Sequence, residues 1–179
     1  MKDQRSYFET ADFQSALPYQ FLAGAVGLCL VFIEVGMAQM PVFYGASPLL
    51  SWIFVYYIRL YHVSLLPVGT VFLIGLIGDL LLSDVLGGRA TAMILAIYVT
   101  DARRARLEQY DFGSLWFDFV IFTAGILIFQ LFFFSIINLA IPSLNAILFQ
   151  LGVTIILFPI SFFLITLSHR LLQRLGLAS

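Results

Sequence analysis

Long apolar runs separated by short polar breaks make up this chain, and the breaks set the elements. The first run, over residues 18–39, has the roughly 20 residues that a helix needs to cross a bilayer, and Met40-Pro41 closes it. An uncharged loop leads to Pro48, and an aromatic run over 49–61 predicts a second helix. Some of the rings of Trp52, Tyr56, Tyr57 and Tyr61 are expected in a membrane-interface belt. This run is short for a span, so it either starts upstream or inserts tilted. Further helices are expected over 66–86, 89–105, 115–139 and 144–172, the last kinked at Pro159. Residues 1–17 are polar with scattered aromatics, and Ser6-Tyr7-Phe8-Glu9 has capping-box spacing. The expected layout is a cytoplasmic N-terminal tail, 1–17, followed by a single six-helix transmembrane domain, 18–179.

Composition turns the pattern into a class. The 179 residues are 61% hydrophobic and 11% charged, less than half the charge of a typical soluble domain, about 25%. A water-soluble fold of this size cannot bury that excess of Phe, Leu and Ile, so the reading is an all-α integral membrane protein. A net charge of −1 without a basic patch gives a nucleic-acid backbone nothing to bind. Lys2 and Arg5, Arg59, Arg103, Arg104 and Arg106, and Arg170 and Arg174 all fall on one side of a six-helix layout, with Arg89 alone on the other. The positive-inside rule then places both termini in the cytoplasm.

The polar positions inside the runs are the informative ones. Asp79 lies well within apolar sequence, where an ionised carboxylate is costly. Gly75, Asp79 and Ser83 recur every fourth residue and form one small, polar helix stripe. Glu34 sits roughly 7 Å below the outer end of the first span, and Asp79 roughly 12 Å below Gly87, at 1.5 Å per residue. Arg89 opens the fourth helix just above them, on a stem long enough to reach down. A buried cluster of Glu34, Asp79 and Arg89 is expected; the alternative is that each carboxylate is protonated or snorkels alone. Ala23 and Gly27, Gly75 and Gly78, and Ala92 and Ala96 supply small-residue faces, for internal packing or for a partner's helix. Arg103, Arg104 and Arg106 are cytoplasmic docking candidates, or an ordinary basic loop.

Enzymatic chemistry is not expected. His62 and His169 are far apart at helix ends without a facing acidic pair, so neither a metal site nor a cofactor is anticipated. Cys29 is the sole cysteine and lies in an apolar run, as a small packing residue does. No phosphate-cradling glycine loop is present.

One stretch resembles a known family. Gln39-Met40-Pro41, then Pro48 before an aromatic-rich helix, then Val68-Gly69-Thr70-Val71-Phe72 leading into Gly75-Leu76-Ile77-Gly78-Asp79-Leu80-Leu81 and Leu86-Gly87, is similar to MreD. MreD is the small membrane subunit of the bacterial rod-shape machinery, the elongasome. The chain departs from it at Ser47, where the family often has arginine before the proline. The resemblance implies a non-enzymatic scaffold in the bacterial inner membrane, working with a bitopic MreC-like protein. It also implies a link between the MreB filament and the glycosyltransferase–transpeptidase pair of peptidoglycan synthesis. The implied fold is like the S-components of energy-coupling-factor transporters, which keeps a second function open. In that reading the chain is a small-molecule binding or transport subunit, with the polar cluster lining a pocket beside Trp52 and Tyr56.

Overall fold

The computed structural model describes residues 3–41, 47–82, 85–107, 111–139 and 143–174, with side chains described over 18–41, 47–82, 85–105, 111–139 and 143–164. Among the described residues the α-helices are α1 (Asp3–Ala38), α2 (Leu50–Tyr61), α3 (Val68–Leu82), α4 (Gly88–Leu107), α5 (Phe112–Asn138) and α6 (Leu144–Arg174). A 3-10 turn, Val63–Leu65, joins α2 to α3. The first helix starts upstream of 18, at Asp3, with Pro18 inside it. The third stops at Leu82 rather than 86, and Ser83, the last member of its expected stripe, lies outside the described residues.

Three stretches among the described residues are long and apolar enough to cross a membrane: Pro18–Ala38, Phe112–Asn138 and Leu144–Leu164. The chain is thus an all-α protein of the multi-pass membrane type. The other three helices differ from those spans. α3 is apolar but has 15 residues, α2 has 12, and α4 carries arginines at both ends.

The shortest helix is the centre of the bundle. Every residue of α2 from Ser51 to Leu60 is buried, with α1, α4 and α6 packed around it. Tyr56 meets Phe119 of α5 edge-on at 5.2 Å and Phe158 of α6 at 6.1 Å, and those two rings stack on each other at 4.0 Å. The interface-belt expectation therefore fails for Trp52, Tyr56 and Tyr57, which are core residues; Tyr61 alone of the four is exposed. The reason is geometric. A helix about 18 Å long, enclosed on all sides, has no lipid face on which to place rings.

The remaining pairing of note is α3 on α4, the most extensive in the bundle. A methyl group on Gly75 would lie 2.6 Å from the Ala90 Cα, so only glycine lets these two backbones meet.

Candidate functional site: a buried polar junction at two helix starts

A helix that starts inside an apolar environment exposes N–H groups that no lipid can satisfy. Both α2 and α4 start this way, and neither brings a cap of its own. The residue before α2 is Leu49, with no side-chain oxygen to offer. Gly87, with φ of +87°, turns the chain into α4 and has no side chain.

Carboxylates from other helices fill both roles. Glu34 of α1 accepts from Ser51 N at 2.5 Å through Oε1. Thr154 of α6 accepts from Leu49 N at 3.1 Å. Asp79 of α3 accepts from Gly87 N at 2.9 Å and Ala90 N at 3.3 Å through Oδ2, and from Arg89 N at 3.0 Å through Oδ1. Arg89 connects the two caps. Its Nη2 pairs with Glu34 Oε2 and donates to Ser51 Oγ at 2.8 Å, while its stem crosses Gly78, where an added Cβ would stand 3.0 Å from Arg89 Cδ. Glu34 and Asp79 are fully buried and Arg89 nearly so.

The charges balance in this geometry. Each helix N-terminus carries roughly half a positive charge. Two such ends and one guanidinium offset two carboxylates, so the junction is close to neutral by itself. The structure brings Glu34, Asp79 and Arg89 together, but as two caps bridged by an arginine. Asp79 meets the backbone of Arg89, and Glu34 meets its side chain.

The other sequence-flagged residues have clear places. Ala23, Ala92 and Ala96 are buried. A Cβ on Gly27 would meet Ile74 at 2.6 Å, and Gly75 and Gly78 lie against α4. All six therefore pack inside the chain. At the opposite end, Arg103 pairs with Asp118 and Arg104 Nε donates to Leu60 O at 3.0 Å; the side chain of Arg106 lies outside the described residues. Among the described residues no cluster of His, Cys, Asp and Glu is arranged to hold a metal ion.

Several participants escaped sequence reasoning: Ser51, Thr154 and the Arg59–Asp101 pair. Gln150 Nε2 donates to Ser47 O at 3.0 Å and so holds the approach to α2. The available signal was a hydroxyl or amide within an apolar run, a residue type that needs a partner in lipid.

Beside the junction is a cavity of about 170 Å³, lined by Asp79, Arg89, Gln130 and Gln150 together with Leu127, Phe133 and other apolar side chains. Trp52 and Tyr56, expected at such a pocket, instead line a separate void of about 10 Å³ near Arg59. They sit too deep in the core to reach the larger space. No family model, curated protein or solved structure matches the chain.

Proposed function

We propose that this chain is a non-enzymatic, MreD-like scaffold in the bacterial inner membrane. It holds a bitopic MreC-like protein and so couples the MreB filament to the glycosyltransferase–transpeptidase pair of lateral peptidoglycan synthesis. In this reading the chain is a six-helix bundle resembling an S-component, with both termini and Arg103 on the cytoplasmic side and the Glu34–Asp79–Arg89 junction toward the outer face. The observation that carries it is how the buried polar groups are engaged. The most deeply placed carboxylates each accept hydrogen bonds on both oxygens, which leaves them structural and fixes a rigid body on which a partner can assemble. The resemblance of residues 39–87 to MreD supplies the partner class. Co-expression with an MreC-like bitopic protein, followed by affinity purification in a mild detergent, tests the reading. A stoichiometric complex is expected. A stably folded chain that leaves the column alone, or one that converts a compound by itself, overturns it.

The 170 Å³ cavity favours a second reading, a small-molecule binding or transport subunit. Thermal-shift screening with vitamins and lipid-linked wall precursors separates the two readings. Stabilisation by a vitamin supports the second.

A further inference from the structure

The α5–α6 pair has fully buried positions along half its length only; beyond them Phe129, Ile147 and Leu151 are partly buried against the core. From Leu115 to Leu127, α5 buries seven positions, including Asp118, Phe119, Phe122 and Ile126. From 128 to 139 it buries none, and α6 buries none from 143 to 153. Where the pair is tight, Phe119 stacks on Phe158 and Trp116 Nε1 donates to Ile155 O at 3.2 Å. Where it is loose, about three turns of each helix frame the 170 Å³ cavity over Arg89.

That loose half holds unmet hydrogen-bonding capacity. Arg89 makes both of its side-chain bonds through Nη2, leaving Nη1 and Nε without a partner, and Nε is buried. Ser135 Oγ, one turn beyond the cavity-lining Leu131, is also buried without a partner. The Gln130 amide lines the cavity and makes no hydrogen bond among the described residues. Lipid tails cannot satisfy any of these groups, and each costs free energy while unsatisfied at membrane depth.

We propose that the cleft between the loose halves of α5 and α6 receives a single membrane-spanning helix of a partner protein, which places one carboxamide or hydroxyl side chain in the cavity against Arg89 and Gln130. The dimensions separate this occupant from a small molecule. The incompletely buried length on both helices is that of a helix face, whereas the cavity within it, near the volume of a benzene-sized void of about 150 Å³, fits one side chain. The chemistry selects a neutral occupant. The donors are free, but the junction behind them is already charge-balanced, so an ionised group gains little and must be desolvated. The inference rests on the scaffold reading and specifies the face that the scaffold uses.

The test uses the full chain in nanodiscs containing one copy each, with a donor dye on Cys29, which is exposed on α1 rather than packed in the core as its apolar surroundings suggest. The probes are acceptor-labelled Leu-rich transmembrane peptides that differ at one central position, Gln or Leu. The Gln peptide should bind about tenfold tighter than the Leu peptide, the range of interhelical hydrogen bonds in membranes. That preference should vanish in the Q130L/S135A double variant, whose sites are not part of the packed core, and in R89K, which keeps a positive charge for Glu34 but has no Nε or Nη1. Equal binding of both peptides, or a preference that survives Q130L/S135A, overturns the proposal. So does energy transfer, in larger nanodiscs loaded with one donor-labelled and one acceptor-labelled copy, that Q130L/S135A abolishes, because a second copy is then the occupant. The MreC-like partner distinguishes the two readings. Co-purification with wild type that Q130L/S135A leaves intact overturns this cleft and spares the scaffold, whereas no co-purification with wild type overturns the scaffold itself.

Discussion

At the Glu34 end of the bundle carboxylates face helix N-termini; at the Arg103 end arginines face helix C-termini and the turn that follows. Glu34 and Asp79 accept from the first N–H groups of α2 and α4. Arg104 donates to Leu60 O in the last turn of α2, and Arg59 donates to Val63 O at 3.3 Å and Leu66 O at 3.1 Å just beyond it. Both arrangements follow the helix dipole, acid at the positive end and base at the negative end. The two ends differ in access to water. Glu34, Asp79 and Arg89 are all buried, whereas each pair at the other end has one accessible member: the side chain of Asp101 is 35% exposed beside buried Arg59, and that of Arg103 45% exposed beside buried Asp118. Burial, more than the number of ion pairs, should therefore decide how much each end contributes, because an exposed pair is worth little and a broken buried pair leaves an uncompensated charge.

The sharpest way to break this comparison is at the Glu34–Arg89 pair. E34L or R89L alone strands its partner in a buried site and should cost about 3–5 kcal/mol. The double variant E34L/R89L should cost clearly less than either single change, since no charge remains unpaired. Unfolding midpoints in a common detergent measure all three. Equal losses for the double and the single changes would mean that the pair adds no coupling.

Next in size is the Asp79 cap. D79A removes the acceptor for three N–H groups at the start of α4 and should destabilise by about 2 kcal/mol, the upper end for a lost N-cap. D79N keeps one oxygen and should recover about half of that. Hydrogen exchange at the Gly87, Arg89 and Ala90 amides reads the effect locally. Exchange that stays slow in D79A would show that these donors find another acceptor.

The polar junction was partly legible in the sequence because charge inside an apolar run is rare and must be accounted for. Helical rise alone put Glu34 and Asp79 at similar depth, with Arg89 next to them. What the sequence did not carry was which atoms meet. A carboxylate that caps a helix two elements away leaves no local signature, and the usual clue, a Ser, Thr, Asp or Asn immediately before the helix, is missing at Leu49 and Gly87. The interface-belt reading of α2 narrowed to Tyr61 for a related reason. Aromatic content is the same in a belt and in a core, and only the packing of α1, α4, α5 and α6 around a 12-residue helix tells them apart. Helix bounds were legible within a few residues except at the start of α1, where polar sequence continues the helix to Asp3.

At the Arg103 end the effects should be smaller. R103A leaves Asp118 buried with one remaining contact, the Tyr56 hydroxyl at 3.4 Å. Because Arg103 is half exposed, water can take its place, and a cost of about 1 kcal/mol is expected, at the top of the range for accessible pairs. If R103A matches R89L in unfolding midpoint, access to water is not what distinguishes the two ends.

The smallest effect should come from D101N. Asp101 pairs with Arg59, but Arg59 Nη1 also donates to the Val63 and Leu66 carbonyls. Losing the carboxylate charge therefore leaves the guanidinium partnered, and the asparagine oxygen can still accept. A loss of roughly 0.5 kcal/mol is expected. Salt sharpens the contrast, because the Debye length falls from about 10 Å at 0.1 M to 3 Å at 1 M. The difference between wild type and D101N should close over that range, since Asp101 is open to the electrolyte, while the difference between wild type and E34L should persist, since no ion reaches Glu34. Salt titration of the unfolding midpoint for the three proteins decides it, and a gap at Glu34 that closes in parallel with the one at Asp101 would place that carboxylate within reach of solvent.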